Sequence, residues 1–205
     1  KTKPPRRYRE ILEYVALRQP RSIIEIGVYT GKRAMEIITA ASIYNPLKDI
    51  EYFGFDLFED LTPELCIREF SKTPPSKEVV ASYLRTSEVN ISLIQGNTIN
   101  TLPQFVAEHK SPIDFIFIDG GHTEETIASD WQNVEKLMGP QTTVFFDDYY
   151  VNSNQDVSGV GCQKLIHSLD TKKYKVEIGV IEDCFQKDWG ILKIRLARVS
   201  LLTQK

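Results

Sequence analysis

The chain has 205 residues, of which 41% are hydrophobic and 26% charged, and its formal net charge at pH 7 is −3. This composition is typical of a soluble globular protein and excludes a disordered chain. No apolar run reaches the roughly 20 residues of a membrane-spanning helix, so no membrane partner is expected. The length predicts a single domain over residues 1–205 with a full hydrophobic core.

The N-terminus and the cysteines bear on location and partners. The basic stretch "KTKPPRRYRE" has no apolar segment behind it, so residues 1–9 are interpreted as a solvated basic tail and not as a secretory signal. Nucleic-acid binding requires a basic stripe over the body of a domain, and no nucleic-acid partner is expected. The three cysteines are widely spaced and odd in number, which fits a reducing, cytoplasmic location.

Strands and helices alternate over most of the chain. The predicted strands are 22–28, 51–57, 90–96, 113–119 and 142–148. Apolar residues at helical spacing predict helices between them, over 32–45, 101–109 (with Pro103 in its first turn) and 127–138. Because the strands are continuously apolar, they predict a parallel sheet covered by helices on both faces.

The last part of the chain has a different pattern. Residues 174–181 and 190–198 alternate apolar and polar side chains, and a short polar connection joins them. They predict a C-terminal antiparallel strand pair that closes the sheet. The expected fold is therefore a doubly wound α/β sheet of seven mostly parallel strands. Residues 57–88, which contain three prolines, are interpreted as an inserted segment that could form a lip of a pocket.

A glycine loop, "EIGVYTGKR" (25–33), joins the first strand to the first helix. Backbone amides and a helix N-terminus at such a loop favour polar or anionic ligands. A dinucleotide fingerprint is excluded because Tyr29 and Lys32 stand where its second and third glycines would be. A triphosphate loop is excluded because the spacing between the glycines is one residue too short. A tight turn packed against the sheet would also account for the loop.

The remaining pattern, acidic-x-Gly-x-x-x-Gly, resembles the first motif of class I S-adenosylmethionine-dependent methyltransferases, which have a Rossmann-like fold. The resemblance implies that Gly27 and Gly31 let the backbone approach the cofactor. It also implies that Glu25 serves the cationic amino-acid end of S-adenosylmethionine, directly or through water.

Further cofactor contacts are expected where later strands end. Asp56 ends the second strand, the position at which α/β cofactor folds place an acid that accepts hydrogen bonds from ribose hydroxyls. Gly96 and Asn97 follow the third strand, where the methyltransferase family holds the adenine ring. The family commonly has Gly-Asp there, so Asn97 is a departure from its pattern. Asp119, after the fourth strand, is also expected on the cofactor side.

Three aspartates, Asp119, Asp147 and Asp148, end two strands in the stretches "IDGGHTEETIASDW" and "GPQTTVFFDDYY". Carboxylates that converge on one sheet edge repel one another unless a cation or protons neutralise them. Oxygen ligands alone suit Mg²⁺, whereas zinc would require more His or Cys residues nearby. Hydrogen bonding on the cofactor side, without a metal, is the alternative.

These two stretches resemble metal-dependent small-molecule O-methyltransferases, in particular the macrocin- and sugar-O-methyltransferase-like group, over roughly residues 20–165. The resemblance implies that Asp119, Asp147 and Asp148 bind Mg²⁺ or another divalent cation and that His122 is the catalytic base. Such an ion would position the acceptor hydroxyl and lower its pKa before the histidine takes the proton. His122 could instead be a loop histidine bonded to Asp119 or to the next helix.

The sequence thus predicts an enzyme that moves a methyl group to a hydroxyl of a small molecule such as a sugar, a phenol or a glycosylated metabolite. One alternative is a metal-independent methyltransferase that acts on nitrogen or on a macromolecule. Another is a non-catalytic binding module with a Rossmann-like fold. The sequence does not identify the acceptor or the oligomeric state, and a homo-oligomer stays open.

Overall fold

The computed structural model describes residues 5–151 and 157–202. Within them, the strands are β1 (Ser22–Ile26), β2 (Glu51–Asp56), β3 (Asn90–Gln95), β4 (Phe115–Ile118), β5 (Thr143–Val151), β6 (Tyr174–Ile178), β7 (Asp183–Lys187) and β8 (Gly190–Leu201). The α-helices are α1 (Arg9–Arg18), α2 (Lys32–Ala41), α3 (Pro63–Arg68), α4 (Lys77–Leu84), α5 (Thr98–Glu108), α6 (Glu124–Val134) and α7 (Gln163–Ser168).

All the described strands belong to one sheet, in the order β3-β2-β1-β4-β5-β8-β6, with β7 also paired to β8. Strands β1 to β5 run parallel to one another, whereas β8 is antiparallel to β5, β6 and β7. The predicted doubly wound, mostly parallel Rossmann-like sheet with antiparallel C-terminal strands is confirmed.

The described sheet has eight strands, one more than predicted. The additional strand is β7, which lies in the segment that was interpreted as a polar connection. Strand β8 has twelve residues, and β6 pairs only with its last part, from Ala197 to Leu201. The first part of the same edge, Gly190 to Ile194, therefore has free backbone groups, and β7 satisfies them.

The two faces of the sheet bury separate hydrophobic cores. Ile23 and Phe115 face a core that contains buried residues of α1, α2 and α4. Ile24 and Ile116, the next residue in each strand, face a second core that contains buried residues of α5, α6 and α7. Successive side chains of a strand point to opposite faces, so the continuously apolar strands match a sheet buried on both sides.

Polar caps set where several helices begin. The Asn97 side-chain oxygen accepts a hydrogen bond from the backbone amide of Ile99 at 3.0 Å, and α5 begins at Thr98. The helix thus starts earlier than predicted, and Pro103 lies inside it and not in its first turn. Within the inserted segment, Thr62 and Ser76 cap α3 and α4 in the same way.

Two findings concern the predicted location. Among the described residues, no helix is both long enough and apolar enough to cross a membrane. All three cysteines lie in the described part of the chain, and each of them is a free thiol: Cys66, Cys162 and Cys184.

Helix α6 carries a fully buried carboxylate, that of Asp130. Neither of its oxygens has a hydrogen-bond partner of normal geometry among the described residues. Burial raises the pKa of Asp130 from 3.8 to about 7, against a smaller opposing effect of the Thr98 hydroxyl. The folded protein therefore holds a proton on Asp130 over a pH range in which the unfolded chain has released it.

The first prediction follows from this shift. Because the folded-state pKa is the higher one, the folded state loses stability as the pH rises from about 4 to about 7, by on the order of 4 kcal/mol over the whole titration. In Asp130→Asn the group cannot titrate, so the melting temperature of the variant minus that of the wild type should rise between pH 5 and pH 8. Thermal unfolding followed by circular dichroism measures this difference.

The matched control is Asp49→Asn, at an exposed aspartate. The melting temperature of Asp49→Asn should change with pH as that of the wild type does over the same pH range. A difference between Asp130→Asn and wild type that does not change with pH would contradict the prediction.

Candidate active site

A cavity of about 440 Å³ lies at the carboxyl edge of the parallel strands. Most of the residues predicted for the site lie on its wall, namely Gly27, Asp56, Gly96, Asn97, Asp119, His122, Asp147 and Asp148. The inserted segment contributes further wall residues, Leu57, Leu61, Leu65, Arg68, Glu69, Phe70, Ser71, Lys72 and Pro74, and the N-terminal segment contributes Pro5, Arg7 and Tyr8. The structure thus brings residues in or just after five strands together with two segments that lie far apart in sequence.

The glycine loop approaches the end of β4 closely. Gly27 has a φ of +93°, and a Cβ atom built on it would lie 2.0 Å from the backbone oxygen of Asp119. Only glycine fits there. Gly31, with a φ of +76°, precedes α2 and packs against Val80 and Leu84 of α4. It is not among the residues that line the cavity, and its approach to a cofactor stays a prediction.

Glu25 is fully buried and does not line the cavity either. Its Oε2 accepts a hydrogen bond from the Tyr52 hydroxyl, and its Oε1 has no partner among the described residues. Burial raises the pKa of Glu25 to about 8, which favours the protonated form at neutral pH. The side chain points into the interior, and its predicted role at the cationic end of the cofactor, directly or through water, stays a prediction.

Asp56 ends β2 and lies on the cavity wall. Its Oδ2 accepts a hydrogen bond from the Tyr29 amide at 2.7 Å, and its Oδ1 accepts one from the Phe58 amide at 3.1 Å. Each oxygen of a carboxylate has two acceptor positions, so one on each remains for a ligand. The same side chain therefore fixes the loops after β1 and β2 and faces the cavity.

The aspartates at the other strand ends converge as predicted. Asp119 follows β4, and Asp147 and Asp148 lie in β5, where the pairing with β8 shifts register between Phe146 and Tyr149. Asp148 has a φ of +56°, in the left-handed region that non-glycine residues rarely adopt. The Asp147 Oδ1 accepts a hydrogen bond from the Asp148 backbone amide at 2.8 Å. The irregular strand thus turns two successive carboxylates towards the cavity edge.

The N-terminal segment is part of this cluster. Arg7 Nε lies 2.6 Å from Asp147 Oδ1, and Arg7 Nη2 lies 2.7 Å from Asp147 Oδ2. Arg7 Nη1 also donates to Asp183 Oδ2 at 3.1 Å. The Arg7 residue is only 5% exposed, and α1 begins at Arg9. The prediction of a solvated basic tail over residues 1–9 does not hold for Arg7, whereas Arg6 and Arg9 are exposed; residues 1–4 lie outside the described residues.

The charges in the cluster follow from burial and from Arg7. Burial raises the pKa of Asp119 well above its ordinary value, and the charges of Asp147 and Asp148 raise it further. Burial and Asp147 also raise the pKa of Asp148. Burial acts in the same direction on Asp147, but the charge and hydrogen bonds of Arg7, together with the hydrogen bonds from Tyr8 and the Asp148 amide, outweigh it and lower the pKa of Asp147. Of the three carboxylates, Asp147 therefore stays ionised to the lowest pH.

This arrangement does not fit the predicted Mg²⁺ site. Both Asp147 oxygens are hydrogen-bonded to Arg7, and the Tyr8 hydroxyl lies 2.5 Å from Asp147 Oδ2 and 3.3 Å from Asp119 Oδ2. In the described part of the chain, no group of three or more His, Cys, Asp or Glu residues is placed to hold a metal ion. The arrangement of these side chains therefore does not support the metal prediction for Asp119, Asp147 and Asp148.

His122 pairs with the third carboxylate. Its Nε2 lies 3.2 Å from Asp148 Oδ2, whereas its Nδ1 is buried and has no partner among the described residues. Its backbone oxygen accepts a hydrogen bond from the Gly161 amide at 2.8 Å. His122 is therefore paired with Asp148, and not with Asp119 as the alternative reading had it.

Comparison with known proteins assigns the chain to a family. A family model described as a methyltransferase domain matches residues 24–149, more than half of the chain. The chain belongs to this methyltransferase family. The match covers β1 to β5 and thus the strand ends that form the cavity. No curated protein matches the chain.

Solved structures share the fold of this methyltransferase at low sequence identity. The O-methyltransferase TomG from Streptomyces achromogenes, in complex with SAM, is 18% identical, with a TM-score of 0.62 over 93% of this chain and 78% of that chain. An O-methyltransferase from Bacillus cereus, in complex with SAH, is 15% identical, with a TM-score of 0.63 over 97% and 82%. An rRNA methylase from Streptococcus thermophilus is 12% identical, with a TM-score of 0.63 over 98% and 100%.

Glu69 is a residue of the candidate site that sequence reasoning missed. It follows α3, is 3% exposed, and its Oε2 accepts hydrogen bonds from the backbone amides of His122 and Thr123, both at 3.0 Å. Its Oε1 lies 2.8 Å from the Thr126 hydroxyl. Glu69 therefore fixes the loop that carries His122. The inserted segment has no pattern that signals this role, because the partners lie more than 50 residues away.

The second prediction concerns the close approach at Gly27. In Gly27→Ala, the methyl group would collide with the Asp119 carbonyl, so the strand-end loop must shift, at a cost of roughly 1–3 kcal/mol beyond the cost of a positive φ. The expected result is a lower melting temperature, measured by thermal unfolding of the purified methyltransferase.

Gly159→Ala is the matched control. Gly159 has a φ of +80°, and a Cβ atom there would meet nothing within 4 Å. Alanine at position 159 would therefore have the strain of a positive φ but no collision with a neighbouring atom. Equal destabilisation by the two substitutions would show that the contact with Asp119 is not what requires glycine at position 27.

Proposed function

We propose that this methyltransferase transfers a methyl group from S-adenosylmethionine to a hydroxyl of a small molecule. The observation that carries the proposal is that one cavity joins Asp56 and the glycine loop to the His122–Asp148 pair. Two of the structures with the same fold are O-methyltransferases, in complex with SAM and SAH respectively.

The cofactor half is formed by the ends of β1, β2 and β3. Gly27 supplies a backbone that a ligand can approach, and Asp56 retains carboxylate acceptor positions that suit a pair of ribose hydroxyls. Gly96 and Asn97 also line the cavity, at the position proposed for the adenine ring. The Asn97 oxygen already caps α5, and an amide oxygen can accept a second hydrogen bond.

The acceptor half is formed by the His122–Asp148 pair. When bound, S-adenosylmethionine supplies a methyl group that is already activated by its sulfonium. The protein must then align a hydroxyl with this group and take up its proton. His122 Nε2 lies 3.2 Å from Asp148 Oδ2, so a proton on Nε2 faces this carboxylate, and Nδ1, which is buried and has no partner among the described residues, is the ring nitrogen left to accept the proton of a hydroxyl that reaches it. The carboxylate then stabilises the imidazolium.

The size of the cavity favours a small acceptor. Its volume of about 440 Å³ lies within the roughly 300–1,000 Å³ range of small-ligand sites. Leu61, Leu65 and Phe185 add apolar wall to the polar strand ends. Such a mixed wall suits an organic molecule that presents a hydroxyl group.

The third prediction tests the cofactor half. Asp56→Asn should weaken S-adenosylhomocysteine binding roughly tenfold to a hundredfold, because one charged acceptor for the ribose is lost. Isothermal titration calorimetry measures the affinity, and Asp49→Asn, the same change at an exposed residue, should leave it unchanged. Absence of binding to the wild type would overturn the proposed function, whereas unchanged affinity in Asp56→Asn would overturn only the ribose contact.

The fourth prediction tests the acceptor half. A panel of phenols, sugars and glycosylated metabolites is incubated with methyl-labelled S-adenosylmethionine, and methyl transfer is measured. With an acceptor that the wild type methylates, His122→Ala should lower the rate by about 10²–10⁴ while S-adenosylhomocysteine affinity stays the same.

His167→Ala is the control, because His167 is exposed and does not line the cavity. It should retain the wild-type rate. A His122→Ala enzyme with the same rate as this control would exclude His122 as the base. Transfer to nucleic acid or to amines only would refute the hydroxyl acceptor.

A further inference from the structure

The geometry points to Arg7 as the built-in cation of this active site: its guanidinium takes the place of a divalent ion at Asp147, and the site works without a metal. The inference rests on the proposed function for its catalytic consequence. The identity of the cation that neutralises the strand-end carboxylates does not depend on that function.

The first step is the geometry of the pair. The contacts of 2.6 and 2.7 Å from Nε and Nη2 to the two Asp147 oxygens form a bidentate fork. A guanidinium in this geometry makes two parallel charge-assisted hydrogen bonds to one carboxylate. A cation that makes a single contact cannot reproduce this pair of bonds. A metal ion could bind Asp147 only after Arg7 had moved away.

The second step is that Arg7 is held in place from the other side. Asp183 accepts hydrogen bonds from the backbone amides of Arg6 and Arg7 at 2.9 and 3.0 Å, and from Arg7 Nη1 at 3.1 Å. The ring of Tyr8 lies against Arg7 and Arg33, with guanidinium carbons 4.5 and 3.7 Å from its centroid. The segment is thus anchored by backbone and side-chain contacts to β7 and to α2.

The third step is the route from Arg7 to the base. Arg7 fixes Asp147, and Asp147 accepts from the backbone amide of Asp148 at 2.8 Å. Asp148 in turn pairs with His122. Arg7 is therefore a positioning residue, which acts on His122 through two carboxylates. A guanidinium cannot coordinate a hydroxyl oxygen as a metal ion does, and the Arg7 donors are engaged by Asp147 and Asp183, so removal of the acceptor proton falls to the His122–Asp148 pair.

The test uses Mn²⁺ as a paramagnetic probe, titrated into the full chain and followed by electron paramagnetic resonance. Wild type should show no saturable site. Arg7→Gln removes the charge beside Asp119, Asp147 and Asp148, and it should gain one saturable site that the added substitution Asp147→Asn abolishes. Arg7→Lys keeps a positive charge and should gain none.

Arg9→Gln is the control, because Arg9 pairs only with the exposed Glu13 on α1, and it should bind no Mn²⁺. A merely structural role of Arg7 would affect the lysine and glutamine variants alike. A saturable, Asp147-dependent site in wild type or in Arg7→Lys would overturn the inference, and so would a folded Arg7→Gln that gains none. If Arg7→Gln does not fold, the wild-type and Arg7→Lys titrations decide.

S-adenosylhomocysteine is titrated into the same samples. Failure of wild type to bind it would refute the proposed function, while the Mn²⁺ result would still decide the identity of the cation. The two failures are therefore distinguishable.

Discussion

The buried ion pair between Arg7 and Asp147 is the interaction on which the candidate active site depends. Two charges removed from water are tolerated only when each is paired and hydrogen-bonded, and loss of one partner of such a pair costs roughly 3–5 kcal/mol. Here Asp183 shares the guanidinium, so the N-terminal segment, the irregular part of β5 and the edge strand β7 meet at one side chain. The site therefore requires the segment before α1 as much as it requires the strand ends.

The sequence predicts that the strand-end carboxylates need a positive charge nearby. It does not identify the cation that supplies this charge. Carboxylates at the ends of neighbouring parallel strands must converge, and a cluster of them needs positive charge, as predicted. The source of that charge is a matter of tertiary structure. Arg7 belongs to a run of basic residues that resembles an ordinary solvated terminus, and it lies 140 positions from Asp147 in the chain. Nothing local in either stretch indicates the partner.

The difference between local sequence signals and tertiary contacts also decides which other features are predictable from the sequence. Apolar runs and breakers locate strands β1 to β5, because burial on both faces leaves a strong local signal. Strand β7 has no such signal, since its sequence "DCFQK" is mostly polar. This strand forms because β8 offers a free edge with which it pairs. Glu25 and Gly31 occupy the expected loop, yet one points into the core and the other packs on α4. A sequence motif locates residues along the chain, but it does not show which of these residues face the cavity.

Glu69 shows how the inserted segment and the catalytic loop act as one unit. The loop after β4 exposes the backbone amides of His122 and Thr123, and a buried carboxylate from the other side of the cavity satisfies both. Burial alone would raise the pKa of Glu69, but the amide and hydroxyl donors lower it, so the carboxylate stays charged and binds these donors strongly. Leu61 and Leu65 of the same segment line the cavity, as Glu69 itself does. The segment thus contributes to the cavity wall and, through one buried acid, fixes the loop that carries the proposed base.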